Sequence, residues 1–250
     1  MSGHSKWSKI KRKKGATDSK RSQIFSRISK EITIAAQQGG SDESMNPRLR
    51  LAIQNAKGVN MPKDVIIRAI NKAEKDQNTL EELTYEGYGP GGTAIFVECL
   101  SDNSNRTVAN IRAAFTKHGG NLGTKGSLSF VFDRKGIFTI PMNKIKNLDD
   151  FELEMIDAGA EDFESDGNAV LLTSGFEDFG RISGKLEGMG IEAENQELQR
   201  VPNSTVKLTI DEARKVLRLI DRIEEDDDVQ RVFHNLEMTD EIMAMFEGES

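Results

Sequence analysis

The sequence has few of the residues that build disulfides, metal sites and membrane spans. It contains one cysteine, Cys99, and three histidines in 250 residues. A single thiol excludes an internal disulfide and any site with several thiolate ligands, and it fits a reducing compartment. No apolar run approaches the roughly 18 residues of a membrane span. The basic start also lacks the apolar segment of a secretory signal. We therefore expect a cytoplasmic protein with no membrane partner.

An acid-poor, serine-containing start is also typical of a mitochondrial transit peptide, which is the alternative location. Nothing separates residues 1–40 from the helical pattern that follows them, so we favour the cytoplasm. A hydrophobic content of 36% is low but sufficient for a folded chain, because apolar residues recur in regular patterns along it. A chain of this length usually forms two or three domains.

Charge is divided unevenly along the chain. Residues 1–75 hold 17 Lys and Arg against 6 Asp and Glu, a net charge of +11, whereas the remaining 175 residues carry −18. Such asymmetry predicts a polyanionic partner for the basic end, through electrostatic steering and counterion release.

Residues 3–14 are rich in cations, contain one tryptophan and lack acids, which indicates a nucleic-acid-binding arm. Its cations would neutralise phosphates, and the tryptophan could stack on an unpaired base. The alternative is a solvated tail whose tryptophan anchors it to the first helix. The predicted contacts in this arm are Lys6, Trp7, Lys9, Lys11, Arg12, Lys13 and Lys14.

A first helix is predicted over 17–38, because apolar residues recur on one arc and Gly39-Gly40 provides a stop. Lys20, Arg27 and Lys30 line the flank of that arc, so the helix can offer a second face to phosphates, or simply to solvent. Pro47 and Pro62 then mark the starts of two further helices, the first of which ends at Gly58. The turn between them favours either a helix-turn-helix reader or a plain three-helix packing unit.

Beyond residue 75, strands and helices alternate. Strand 93–100, helix 104–118 and strand 126–133 form one βαβ unit, and strand 204–210, helix 211–224 and strand 229–236 form another. The segment between them has the βαββαβ order of a ferredoxin-like domain; its elements are 136–140, 149–158, 162–165, 169–174, 176–188 and 191–198. The fold class is therefore α+β, with an N-terminal three-helix domain followed by two ferredoxin-like α+β domains, one inserted in the other. A linear string of domains is the alternative.

The predicted boundaries place the helical domain at 1–78 and the inserted domain at 135–202. The outer domain is discontinuous, with 79–134 joined to 203–240, and a C-terminal tail covers 241–250.

The body shows no catalytic constellation. The glycine-rich segments 85–92 and 119–127 both lead into predicted strands and lack the order of a phosphate loop, so we interpret the second as a helix C-terminal turn. The histidines have no metal-ligand spacing, and Cys99 lies on an apolar strand as a buried residue. The acidic run 224–228 is typical of a solvated turn. We expect no enzyme activity, no cofactor, no metal and no small-molecule substrate.

Several short segments together resemble the YebC family, which also includes the mitochondrial translational activator of cytochrome c oxidase I. They follow the family's order along the whole chain: Gly3 to Trp7, Val59 to Asp64, Tyr85 to Gly92, Gly119 to Gly123, Asp157 to Asp162 and Asp226 to Gln230. The resemblance implies three domains, a helical one and two α+β ones, and a regulator of gene expression. Members are described as DNA-binding transcriptional regulators, while others support translation of proline-rich stretches on the ribosome.

Two functions follow as hypotheses. The first is a DNA-binding transcriptional regulator that grips its target with the basic helical module. The second is a ribosome-associated translation factor that binds ribosomal RNA through the arm with Trp7.

Overall fold

The computed structural model describes residues 18–75 and 80–248. It confirms the α+β class. Helices α1 (Asp18–Gly39), α2 (Pro47–Gly58) and α3 (Lys63–Lys75) come first, close to their predicted positions. The remaining elements are β1 (Glu81–Tyr88), β2 (Ala94–Ser101), α4 (Ser104–Lys117), β3 (Asn121–Leu122), β4 (Phe132–Pro141), α5 (Leu148–Asp157), β5 (Ala160–Ser165), β6 (Ala169–Gly175), α6 (Phe179–Gly188), β7 (Asn195–Pro202), α7 (Ile210–Glu224), β8 (Val229–His234) and α8 (Asp240–Gly248).

The described residues divide into two compact units. The first contains 18–27, 80–133 and 201–248, and the second contains 28–75 and 134–200. Residues 28–75 of the helical region thus cluster with 134–200, most of the segment that the sequence assigns to the inserted domain.

The first unit is built on an antiparallel sheet in the order β3-β1-β2-β8. Helices α4 and α7 bury their apolar stripes against Ile95, Val97 and Cys99 on one face of β2. On the other face, Ala94 and Phe96 pack with residues of the loop that follows β3 and with the start of β4. Strand β2 is thus covered on both sides, which explains why its sequence is almost continuously apolar.

Two predicted strands of this unit are wrong. Residues 124–131 form successive turns, and β4 starts only at Phe132. Instead of a strand over 204–210, the chain makes a single bridge from Val206 to Leu236 before Thr209 caps α7 through a capping box with Glu212.

Strand β1 escaped the sequence analysis because its glycine-containing end suggested a loop. Gly87 lies within the strand. A glycine is needed at this position because the ring of Phe115 occupies the adjacent space, where a Cβ on residue 87 would be 2.6 Å from Phe115 Cε1. At the other end of the chain, the predicted tail forms helix α8, whose Ile242 is buried in the core of the same unit.

The second unit contains the expected βαββαβ order, with its sheet arranged β5-β6-β4-β7. Phe151 of α5 and Ile182 of α6 are buried against Phe138 and Leu172 of the sheet. The ferredoxin-like arrangement predicted for 135–202 is therefore present.

In the helical part of the second unit, Asn46 fastens the connection between α1 and α2. Its side chain accepts from Leu49 N at 3.0 Å as the N-cap of α2 and donates to Ala35 O at 2.7 Å and Gly40 O at 2.8 Å. Thr33 of α1 in turn donates to Ala69 O of α3 at 3.0 Å. These bonds hold the three helices together around buried Ile32 and Ile53.

The discontinuous halves of the first unit are joined at Asp228, which is only 3% exposed. Its carboxylate accepts from Ser101 Oγ at 2.9 Å and Thr107 Oγ1 at 2.9 Å, and it pairs with Arg106 at 2.8 Å. The hydrogen bond to Asp228, followed by that to Asp102, raises the pKa of Arg106. The expectation of a solvated acidic turn is therefore wrong for Asp228, because local turn residues direct its side chain inward onto the start of α4.

Replacing Asp228 by alanine should destabilise the first unit, because two buried hydroxyls lose their acceptor and Arg106 loses its buried partner. We expect the free energy of unfolding to fall by about 2–4 kcal/mol, measured by urea denaturation of the full chain. Asp102→Ala, which removes the exposed partner of the same arginine, should cost less than about 1 kcal/mol. Equal losses in the two variants would contradict this assignment.

Candidate nucleic-acid interface

The predicted contact residues fall into two groups. Lys6, Trp7, Lys9, Lys11, Arg12, Lys13 and Lys14 lie outside the described residues. The other three belong to α1: Lys20 lies in its first turn, and Arg27 and Lys30 are half-buried along it.

Arg27 is used inside the protein. Its guanidinium donates to the backbone carbonyl of Glu224 at 2.8 Å, and Gln23 donates to the same oxygen. Glu224 is the last residue of α7, so a cation and an amide cap the carbonyl end of that helix, where positive charge is favourable. Burial lowers the pKa of Arg27, partly offset by the charge of Glu224. We therefore remove Arg27 from the set of nucleic-acid contacts.

Several cations of α2 are also engaged within the second unit. Arg48 pairs with Glu31 of α1 at 2.9 Å, and Arg50 donates to the carbonyl of Ser44 at 2.8 Å. Arg48 thus joins α2 to α1, and Arg50 binds the connection that precedes its own helix.

The exposed arc of α3 has a small net charge. Helix α3 holds Lys63, Arg68, Lys72 and Lys75 against Asp64 and Glu74, a net charge of +2. Arg68 pairs with Asp64 at 2.7 Å, one turn apart. In the turn before α3, Asn60 has a φ of +56° and Met61 is buried. A helix that reads bases in a DNA groove would lie in a strongly positive surface. The exposed arc of α3 provides little net positive charge for that role.

The loop 119–131 has a well-defined internal structure. Gly119 follows α4 at a φ of +77°, and Gly120 N donates to Phe115 O at 2.8 Å, which confirms the predicted helix C-terminal turn. Further along, the carboxylate of Glu86 accepts from Gly126 N at 2.7 Å and Leu128 N at 2.6 Å. Gly126 has a φ of +89°, a conformation that favours glycine.

Cys99 is buried on β2, as predicted. Within 18–75 and 80–248, no group of three or more His, Cys, Asp or Glu side chains could hold a metal ion. None of the helices in these ranges is long and apolar enough to cross a membrane.

Comparison with known families matches nearly the whole chain. Residues 5–76 match the model described as the TACO1/YebC protein N-terminal domain, and residues 80–236 match the TACO1/YebC second and third domain. The chain belongs to the TACO1/YebC family.

Full-length relatives of this TACO1/YebC protein carry the description "probable transcriptional regulatory protein". One from Rubrobacter xylanophilus is 47% identical over 99% of this chain and 100% of its own length. Another, from Chlorobaculum tepidum, is 47% identical over the full length of both chains. The crystal structure of a conserved hypothetical protein from Aquifex aeolicus is 38% identical, with a TM-score of 0.80, over 90% of this chain and 94% of that one. The names of the two relatives denote regulators and not enzymes.

Sequence reasoning overlooked one charge signal in the TACO1/YebC chain. Residues 103–132 contain no Asp or Glu but carry Arg106, Arg112, Lys117 and Lys125, although 35 acids are spread over the 175 residues that follow residue 75. Counting charge by large segments hid this run inside the acidic body. It includes the whole loop 119–131.

Substituting Glu86 by glutamine should loosen loop 119–131 in this TACO1/YebC protein, because the two backbone N–H groups bind different carboxylate oxygens. The amide keeps one acceptor oxygen and turns a donor NH2 towards the other N–H group. We expect the amides of Gly126 and Leu128 to exchange hydrogen about 5- to 150-fold faster, which corresponds to about 1–3 kcal/mol. Native-state hydrogen exchange measures this change. Glu81→Gln, an exposed position on the same strand, is the matched control, and equal exchange in both variants would contradict the role of Glu86.

Proposed function

We propose that this protein is a non-enzymatic regulator of gene expression that binds nucleic acid through its basic N-terminal module. The observation that carries the proposal is the net charge of +11 over residues 1–75 in a chain whose remainder carries −18. A polyanion would approach the positive end and be repelled by most of the body, so the charge distribution favours one orientation of binding.

Within the module, the distribution of charge favours the arm as the main contact. Residues 1–17 hold six Lys and Arg and no acid, a net charge of +6. Residues 18–75 hold eleven cations against six acids, and several of those cations pair with groups of the same chain. The proposed phosphate contacts are therefore Lys6, Lys9, Lys11, Arg12, Lys13 and Lys14, with Trp7 among them, and Lys20 and Lys30 on α1 next to them.

Two targets fit this contact. Duplex DNA is supported by the names of the relatives, which describe them as probable transcriptional regulatory proteins. Ribosomal RNA, and with it a role as a ribosome-associated translation factor, is supported by the small net charge of α3, where Arg68 already pairs with Asp64. A helix that reads bases in a groove needs such side chains to be available.

Replacing Lys11, Arg12, Lys13 and Lys14 by alanine should weaken binding to a duplex and flatten its salt dependence. Loss of four phosphate contacts should reduce the slope of log K against log salt by about 3 to 4 for B-form DNA. Fluorescence anisotropy with a labelled duplex at several salt concentrations measures the slope. Thermal unfolding should be unchanged, because the substitutions leave both cores intact.

The matched control removes four exposed lysines from the body, Lys144, Lys146, Lys207 and Lys215, for the same change in total charge. A general effect of charge would lower affinity equally in both variants. If the arm variant keeps the wild-type slope, the main phosphate contacts lie outside the arm, and the proposal that the arm binds nucleic acid is wrong.

Crosslinking in cells, followed by sequencing of the bound nucleic acid, separates the two targets. A DNA-binding regulator should enrich promoter fragments, and its binding in vitro should survive an excess of random duplex. A translation factor should enrich ribosomal RNA and co-migrate with ribosomes in a gradient. Absence of both kinds of nucleic acid from the crosslinked material would contradict the proposed function.

A further inference from the structure

The loop 119–131 presents one aromatic ring to solvent from a rigid backbone. Phe130 is 92% exposed, while Leu128 and Phe132 on either side of it are buried beneath the sheet of the first unit. The backbone is held on both sides of the ring, because Glu86 binds the amides of Gly126 and Leu128 and Asn203 reaches the far side.

Asn203 completes this support. Its backbone N donates to Val131 O at 2.9 Å, and its side chain donates to Phe130 O at 3.3 Å. The ring is therefore exposed on an ordered support, which lowers the entropy that a ligand must remove on contact.

A second exposed aromatic side chain lies beside the loop. Tyr88, at the end of β1, is 41% exposed, and its hydroxyl donates to the carbonyl of Ser127 at 3.4 Å. Between the two aromatic residues the loop carries Thr124, Lys125, Ser127 and Ser129, all exposed. The surroundings are polar, so the loop does not form the contiguous apolar patch that a hydrophobic protein interface needs.

The charge of this region suits a polyanion. The acid-free run 103–132 places exposed Arg112 and Lys117 on α4 and exposed Lys125 in the loop. Exposed aromatic rings and cations along an acid-free stretch of sequence match the way proteins hold unpaired nucleotides, with rings stacking on bases and cations contacting phosphates.

We propose that loop 119–131 is a second nucleic-acid contact that binds unpaired bases: Phe130 stacks on a base, and Lys125 and Lys117 contact the adjacent phosphates. The inference rests on the proposed function and deepens it, because it specifies a target with single-stranded or loop nucleotides. The arm would then contribute phosphate contacts of any sequence, while the loop would select unpaired over paired strands.

The test uses an RNA hairpin with 2-aminopurine in its loop and a blunt RNA duplex of equal length. Wild-type protein should quench the fluorescent base and prefer the hairpin. Phe130→Ala should abolish the quenching and weaken hairpin binding by about 5- to 150-fold, the range measured for loss of one base–aromatic stack, with duplex affinity unchanged. Phe130→Trp should retain both signals, and Phe130→Leu should lose them, because leucine keeps an apolar contact but cannot stack.

Phe176→Ala is the matched control, since it removes another exposed aromatic ring, one that Arg134 covers at 4.1 Å. It should bind the hairpin like the wild type. Wild-type protein that binds neither RNA nor DNA would contradict the proposed function itself. Wild-type protein that binds nucleic acid, but whose Phe130→Ala or Phe130→Leu variant keeps full hairpin affinity, would overturn the loop assignment while leaving the proposed function in place.

Discussion

The carboxylate of Asp228 is the constraint on which the first unit depends. It bonds to Ser101 and Thr107, which lie 127 and 121 residues away along the chain. Between them the chain leaves the first unit, builds the whole sheet β5-β6-β4-β7 and returns. A buried carboxylate is costly unless its acceptor sites are filled, and only the native return of the chain supplies two hydroxyls and the guanidinium of Arg106 together. The need of the Asp228 carboxylate for these three donors thus favours the pairing of β8 with β2. The same bonds orient the start of α4.

The cations of the helical region and those of residues 103–132 differ in how far they are paired within the protein. In the helical region, three of the described cations bond within the protein: Arg27 caps α7, Arg48 joins α1 to α2, and Arg68 pairs within α3. The ion pairs of Arg48 and Arg68 add little stability at the surface, but they reduce the charge that remains for a ligand. In the acid-free run 103–132, Arg106 forms ion pairs with Asp102 and Asp228. Arg112, Lys117 and Lys125 are left exposed there.

Much of this architecture could be predicted from the sequence, because helices and half-buried strands have periodic patterns. The prolines at the starts of α2 and α3, the stop at Gly39-Gly40 and the βαββαβ order of elements in the second unit all follow from local signals. The errors share a physical cause, which is that distant groups overrode local preference. Gly87 is typical of a loop in the sequence, but it lies in a strand beside the ring of Phe115, which leaves no room for a side chain. Asp228 and Arg27 looked solvated, since their partners lie more than 100 residues away.

The same cause explains why residues 126–131 were predicted as the start of a strand but form turns. Leu128, Phe130 and Phe132 alternate with smaller residues, as in a strand with one buried face. In the folded chain the first and third are buried and Phe130 is not, because Glu86 withdraws the amides of Gly126 and Leu128 from any strand ladder. Natural sequences tolerate such conflict between local pattern and structure mainly at working surfaces. Glu86 thus holds the backbone of the loop while Leu128 and Phe132 enter the core and Phe130 stays exposed. In the proposed contact, a base stacked on the ring of Phe130 would remove its apolar surface from water.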